Sequence, residues 1–338
     1  MTNTQNVTDH TVIGHAKEIQ ALATAALHNR LHHTLLFSGP DGVGKRLVAR
    51  SLAQLLLCQI PVTEMKRDRN SLEGCGKCQQ CSLLRAGNMP DYIEVNCEDK
   101  ASSSAEGIRE LLKTLRLRPF YGEKRVVLFD NAHALHGQSA NALLKALEEP
   151  RAGTFFILVT SQPQLVISTI HSRSQRWGFH VLNGDELSQV IQRAESIPVD
   201  EKLLTFADGS LHRYMLILHN RERLLSLQEQ LKKIALGSER TALLLGEELA
   251  QEKGELKDIL LLLSIVSRHH LKRASLPSEQ ARWSMFLDDL VGLPYFLLRR
   301  NLAPLYLFQS LFLRLASPNP ESFLIDPELF SIDSQVAL

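Results

Sequence analysis

The chain has 338 residues, 44% of them hydrophobic and 22% charged, which predicts a soluble protein of two or three domains. A formal net charge of +1 excludes a global field that would collect nucleic acid unaided, so any DNA contact has to be local or shared with partners. The first ten residues are polar, and the longest apolar run, 259–266, is far shorter than the ~20 residues of a membrane span, so we expect a cytoplasmic protein.

The amino-terminal half alternates predicted helices and strands. The expected helices lie at 15–29, 45–57 and 139–147, and the expected strands at 34–37, 93–95, 125–130 and 154–160. Continuous apolar strands separated by helices are typical of a parallel sheet covered on both faces. We therefore predict an α/β domain for this half of the chain.

The carboxyl-terminal half has a different character. Residues 180–222 predict a small domain of short helices with a turn at Asp208-Gly209, and 223–316 are rich in leucine and predict an all-α bundle. A tail with Pro and Ser follows at 317–338. The predicted domains are 1–179, 180–222 and 223–316.

A glycine-rich loop follows the first strand. Its sequence, Gly39-Pro40-Asp41-Gly42-Val43-Gly44-Lys45-Arg46, matches a phosphate-binding loop except at the last position. Gly42 and Gly44 let backbone N–H groups turn toward an anion, and Lys45 would reach the outer phosphates. The pattern requires Ser or Thr where this chain has Arg46, and a guanidinium cannot ligate Mg²⁺. The alternative is a glycine-rich turn without a ligand.

A second acidic motif ends the strand at 125–130. Asp130 stands where phosphate-loop enzymes hold Mg²⁺, but Asn131, which follows it, cannot accept a proton at neutral pH. Together with Arg46, this predicts that the chain itself does not hydrolyse ATP, and it argues against Mg²⁺-ATP binding. We predict an ion pair between Arg46 and Asp130 in place of the metal, with bidentate hydrogen bonds. The alternative is that Arg46 points to solvent.

The five cysteines lie in one short stretch, and three of them follow a metal-ligand spacing. Cys75, Cys78 and Cys81 predict three thiolate ligands of a structural Zn²⁺ site, with Cys58 or Cys97 as the fourth. An iron–sulfur cluster is disfavoured because no fourth cysteine follows three residues after Cys81. Reduced cysteines without a metal are the remaining alternative.

An arginine follows the fourth strand in Ser172-Arg173-Ser174. An arginine at this place can reach a nucleotide held by a neighbouring subunit, as an arginine finger does. The alternative is an ordinary surface arginine.

Together these segments resemble the AAA+ clamp-loader family, and within it the delta-prime type of bacterial DNA polymerase III. The resemblance covers residues 11 to about 180 with high specificity and is weaker beyond. The residues that carry it are Ile13-Gly14-His15, the strand and loop at 33–45, the cysteines 58, 75, 78 and 81, Pro90-Asp91-Tyr92, Asp130, the run 141–150 and Ser172-Arg173.

The resemblance implies an AAA+ P-loop module with a zinc-binding insert at 58–81, a helical lid and a C-terminal collar that oligomerises. It implies a loader that uses ATP to place a sliding clamp on primed DNA, within a DNA-directed DNA polymerase (nucleotidyltransferase) holoenzyme. Delta-prime subunits act in it as a non-hydrolysing stator beside motor ATPase and delta subunits. By this resemblance Arg173 is a trans-acting catalytic finger and Cys58 is the fourth zinc ligand.

The chain departs from the family pattern in three places, and its sequence is compatible with two rival functions. Ser174 replaces a usual Cys, His212 occupies the second-sensor position with Arg213 one step late, and Lys45 survives in the loop. The main rival is an active ATPase motor subunit of the same fold. The other is a zinc-dependent DNA-binding protein outside replication, against which the balanced charge argues.

Overall fold

The computed structural model describes residues 12–60, 72–194, 199–252, 256–299 and 303–317, without the side chains of 294–299. The chain divides into two compact units, Met1–His212 and Arg213–Leu338. Residues 318–338 of the predicted tail and residues 61–71 of the cysteine-bearing insert lie outside the described residues. No described helix combines the length and apolarity that crossing a membrane requires.

The first unit is built on a five-stranded, wholly parallel sheet. Its strands are β1 (Thr34–Ser38), β2 (Tyr92–Asn96), β3 (Arg125–Asp130), β4 (Thr154–Thr160) and β5 (Gln175–Gly178). They lie in the order β2-β3-β4-β1-β5, with registers such as Leu36 beside Leu158 and Asn96 beside Asp130. This confirms the predicted α/β class. Sequence reasoning missed β5, because its four residues are polar or aromatic and show no apolar run.

Helices cover both faces of the sheet, as the buried strand residues require. They are α1 (Ala16–Leu27), α2 (Lys45–Leu57), α3 (Gln79–Arg85), α4 (Ala105–Thr114), α5 (Gly137–Glu148) and α6 (Ser168–His171). Three further helices follow β5 along the chain: α7 (Gly184–Arg193), α8 (Glu201–Ala207) and α9 (Leu211–His219), the last of which crosses the boundary between the two units. One core contains Leu35 and Phe37 with α1 and α2, and the other contains Leu36 and Phe129 with α4 and α5. Alternate residues of one strand thus face opposite cores.

A buried ion pair ties β2 to β3 at their amino ends. Asp91 and Arg125 are almost wholly buried, and the guanidinium lies 3.4 Å from Oδ1 of the carboxylate. Asp91 also accepts hydrogen bonds from the backbone N–H groups of Phe120 (2.9 Å) and Tyr121 (2.6 Å). Because a buried charge needs such partners, the pair fixes the loop that leads into β3.

The second unit is all helical in its described part. Its helices are α10 (Arg221–Ala235), α11 (Glu239–Gln251), α12 (Leu256–Arg273), α13 (Pro277–Arg299) and α14 (Pro304–Ala316). Their apolar faces form a separate core that includes Leu263, Phe286, Phe308 and Phe312. Leucine-rich helices with few β-branched strand patterns predicted this architecture.

Candidate functional site

The phosphate-type loop lies at the carboxyl end of β1 and leads directly into α2. Gly39, Gly42 and Gly44 all have positive φ, at 152°, 72° and 101°. Such backbone favours glycine and lets successive N–H groups point into one concavity. The Lys45 ammonium donates hydrogen bonds to the carbonyl oxygens of Gly39 (2.8 Å) and Pro40 (2.5 Å), and the side chain is buried.

Segments distant in sequence hold this loop in place. The His15 ring donates from Nε2 to the Val43 carbonyl at 2.8 Å, and the Ser210 hydroxyl donates to the Asp41 carbonyl at 2.8 Å. A side chain at Gly42 would place its Cβ 2.5 Å from the Ser210 oxygen and 2.6 Å from Cβ of His212. The turn at 210–212 therefore packs tightly on the loop, at the position the resemblance assigns to a second sensor.

The predicted ion pair between Arg46 and Asp130 is confirmed. Nη1 of Arg46 lies 3.3 Å from Oδ2 of Asp130. The predicted bidentate geometry is wrong for this pair, because the two short contacts go to Oε1 of Glu94, from Nε at 2.6 Å and Nη2 at 2.5 Å. Glu94 lies on β2, beside β3, and its carboxylate is closer to the Arg46 guanidinium than that of Asp130 is.

Glu94 is the centre of a larger polar network that sequence reasoning missed. Arg50, one helical turn after Arg46, donates from Nε to Oε2 at 3.0 Å, and the Tyr92 hydroxyl donates to the same oxygen at 2.9 Å. Two arginines four residues apart share one face of α2, which is the only sequence signal for this network. Their carboxylate partner depends on the register of the sheet.

Burial and the neighbouring arginines shift the pKa values of Glu94 and Asp130 in opposite directions. Burial alone raises the pKa of Glu94, but Arg50 and Arg46 outweigh it and the pKa is lowered. Burial raises the pKa of Asp130, and Arg46 offsets this only in part. The contacts of Arg46 follow the same order, since they are shorter to Glu94 than to Asp130. The set does not fit Mg²⁺, because a cationic side chain stands where the pattern requires a hydroxyl ligand.

Asn131 begins the turn that follows β3. Its backbone is left-handed, with φ 55° and ψ 45°, a conformation that Asn adopts more readily than Glu. Its N–H donates to Oδ1 of Asp130 at 3.1 Å. The side chain supplies an amide and no base at this edge of the sheet.

Four cysteines form one cluster beside the end of α2. The sulfurs of Cys58, Cys75, Cys78 and Cys81 all lie within 4.8 Å of one another, and this group could hold a metal ion. The fourth candidate ligand is therefore Cys58, while the buried Cys97 thiol contacts the Val95 carbonyl instead. Backbone N–H groups donate to the sulfurs of Cys58 and Cys75, each at 3.2 Å.

The loop around these cysteines is built to bring the sulfurs together. A Cβ at Gly74 would lie 2.7 Å from the Cys81 sulfur, so only glycine fits there. Burial raises the pKa of Cys58. At Cys75 burial acts in the same direction, but backbone N–H groups of Lys77 and Cys78 outweigh it and lower the pKa to about 6. Hydrogen bonds of this kind favour thiolates, which are the form that binds metals.

Arg173 lies at the opposite end of the sheet from the phosphate-type loop. It precedes β5, whereas the loop and Asp130 follow the carboxyl ends of β1 and β3. Its Nε donates to Oε1 of Glu148 at 2.6 Å, and Nη1 donates to the Thr169 carbonyl at 3.0 Å. A strand of four to five residues spans about 13–17 Å, so Arg173 cannot reach the loop of its own chain.

Comparison with known proteins places the chain in a family. A family model described as "DNA polymerase III, delta subunit" matches residues 14–183. The chain belongs to this family. The match starts at the His15 motif and ends just beyond β5, and it confirms the family predicted from the sequence.

Curated relatives agree with this assignment. A DNA polymerase III subunit tau/gamma of Haemophilus influenzae is 37% identical over 207 residues, which is 59% of this chain and 29% of the relative. A delta' subunit of Pseudomonas aeruginosa is 37% identical over 182 residues, 53% of each chain. The matched part of the chain therefore spans about a third to a half of these relatives' length.

One solved structure has a weak similarity to this chain. A gamma subunit-related protein of Thermotoga maritima is 18% identical with a TM-score of 0.41, and the similarity covers 88% of this chain and 98% of that one.

Proposed function

We propose that this chain is the delta-prime-type stator of a DNA polymerase III clamp loader, a subunit that assembles with ATPase and delta subunits without hydrolysing ATP. The observation that carries this proposal is the guanidinium of Arg46 held between Glu94 and Asp130. With a cation fixed there and an amide at Asn131, the site lacks both the metal ligand and the base of a phosphoryl-transfer site.

The position of Arg173 supports a catalytic role at the nucleotide site of a neighbouring subunit. An arginine at the far end of the sheet from its own loop can act only on a nucleotide that another subunit holds. Arg173 would stabilise the charge that develops on the transferred phosphoryl group. Catalysis would then occur at the neighbour's site, with this chain supplying one guanidinium to it.

The remaining parts of the proposal concern domains, zinc and partners. The proposed modules are an AAA+ domain at 1–179, a lid at 180–222 and an oligomerising collar at 223–316, the last supported by the separate helical core.

The distances between the cysteine sulfurs suit zinc. Zn–S bonds of ~2.3 Å place tetrahedral sulfurs about 3.8 Å apart, and the Cys58–Cys78 sulfurs lie 3.9 Å apart and the Cys75–Cys81 sulfurs 4.0 Å apart. Zinc would cross-link the insert to α2. This chain would contact the sliding clamp and primed DNA through the assembled loader.

An active motor subunit is the second candidate function. Lys45 and the glycine backbone of the loop are retained, and the tau/gamma relative is as similar to this chain as the delta' relative. Hydrolysis by the isolated chain separates the two candidates. The stator predicts no ATP turnover above a Lys45→Ala control, whereas turnover comparable with a motor subunit would contradict it.

A further inference from the structure

A cavity of about 750 Å³ opens at the amino end of the sheet, around Arg173. It is formed where the chain enters three neighbouring strands, by residues 29–33 before β1, 150–153 before β4 and 172–174 before β5. Its volume lies in the range of ligand-binding sites. The phosphate-type loop is at the other end of the same strands, so this cavity is a separate place on the unit.

The lining of this cavity is strongly basic. It includes Arg30, Arg151 and Arg173 together with two histidines, and none of the described residues that line it is an Asp or Glu. The chain as a whole has a net charge of only +1, so the excess is local. A concave surface with one sign of charge concentrates ligands of the opposite sign. Such a cavity favours an anion.

None of the three arginines loses its charge to a strong partner. Arg151 donates from Nη1 to the Arg116 carbonyl, which orients the guanidinium but leaves it cationic. Neither Arg30 nor Arg151 forms an ion pair with another described residue. Arg173 is paired with Glu148, but the two side chains are 33% and 46% exposed, and exposed pairs of this kind contribute little. A polyphosphate can therefore displace Glu148.

We propose that Arg30 and Arg151 bind, together with Arg173, the phosphate groups of a nucleotide that a neighbouring subunit presents to this cavity. The inference rests on the proposed role of Arg173 and adds two further binding residues to it. Guanidinium groups match phosphate oxygens in two-point hydrogen bonds, and three around one cavity suit a ligand of several negative charges. Glu148 holds Arg173 in the cavity wall until the nucleotide arrives.

The test uses the loader reconstituted from all its subunits, with this chain carrying Arg30→Ala or Arg151→Ala. Removing one charge-assisted contact raises the KM for ATP of the loader about tenfold, with a smaller effect on kcat. Arg151→Lys restores part of the affinity because the charge is kept. Arg109→Ala, an exposed arginine on α4 away from the cavity, is the matched control and leaves KM unchanged. Sedimentation measures whether each variant loader assembles.

The outcomes distinguish this inference from the function on which it rests. If Arg30→Ala and Arg151→Ala leave KM unchanged while Arg173→Ala lowers turnover, the inference is wrong and the stator proposal stands. If Arg173→Ala also has no effect, the proposed function fails as well. Variants that prevent assembly would show that these arginines serve only the subunit interface, which also overturns the inference.

A second measurement separates the neighbour's nucleotide from a free anion. Inorganic triphosphate is titrated into the isolated chain and into the Arg30→Ala and Arg151→Ala variants. Weak binding, in the millimolar range, is expected because the other half of the site belongs to the neighbour. Micromolar binding that both variants abolish would assign the cavity to a free polyphosphate and contradict the inference.

Discussion

Replacing Glu94 by alanine removes the acceptor that organises the degenerate site. The carboxylate accepts from Arg46, Arg50 and Tyr92, and its side chain is only 18% exposed. Without it, two guanidinium groups one helical turn apart repel each other, and Asp130 is the one remaining acidic partner of Arg46 in the described network. We expect the variant to fold and to lose stability in the amino-terminal unit.

The expected loss follows from the exposure of the partners. Both arginines are about half exposed, so each ion pair contributes about 0.5–1 kcal/mol. The hydrogen bond from the Tyr92 hydroxyl contributes about 1 kcal/mol. The sum is about 2–3 kcal/mol for Glu94→Ala. Glu94→Gln keeps an oxygen for Tyr92 and loses about 1–2 kcal/mol.

Tryptophan fluorescence can follow this unit alone. The chain has two tryptophans, so in a Trp283→Phe background Trp177 of β5 reports the unfolding of the amino-terminal unit. A loss of 2–3 kcal/mol lowers the Tm of a unit of this size by about 4–12 °C. Glu123→Ala, an exposed acid in the loop before β3, is the control and changes stability by less than about 0.5 kcal/mol. A stability change for Glu94→Ala within that same limit would show that this network does not stabilise the unit.

Three further predictions test the metal position, the cysteine cluster and the second unit. Arg46→Thr restores a hydroxyl and frees acidic oxygens for Mg²⁺, so calorimetry should show that Mg²⁺-dependent nucleotide binding is about tenfold tighter. ATP turnover should stay absent because of Asn131, and turnover like that of a motor subunit would contradict this. Cys81→Ser should reduce bound zinc, measured by elemental analysis, from about one equivalent per chain, and Cys97→Ser should not; equal zinc in both would exclude the cluster. Burial, partly offset by Arg314, raises the pKa of Asp289 to about 6, above its unfolded value of ~3.9. The stabilisation from this group is therefore lost as the pH rises from about 4 through about 6. Asp289→Asn should flatten the pH dependence of the free energy of urea unfolding across that window, and an unchanged pH profile would contradict the assignment.

Sequence patterns predicted the fold where they were strongly periodic. The apolar runs of β1, β3 and β4 and the leucine-rich helices after residue 223 indicated their classes correctly. β5 could not be found in this way, because Trp177 and its polar neighbours form a strand only by pairing with Leu35–Ser38 of β1. The paired residues of β1 lie 140 positions earlier in the chain, so β5 has no local sequence signature.

The candidate sites were predictable where the chemistry requires a fixed spacing. The phosphate-type loop, the cysteine cluster and the pair between Arg46 and Asp130 all follow from residue types at short intervals or at strand ends. Glu94 was missed because its contact with α2 depends on which strand lies beside β3. The supports from His15 and Ser210 were missed for the same reason, since each acts through a contact far along the chain.

In the proposed function, this chain acts on a neighbour's nucleotide through Arg173 and hydrolyses none itself. The most direct test is the steady-state ATPase rate of the assembled loader containing Arg173→Ala, measured beside the wild-type loader at equal assembly. Losing an arginine finger should lower kcat about 10³-fold or more at the site it serves, so the total rate should drop by that site's share. An unchanged rate in a fully assembled variant would contradict the role proposed for Arg173.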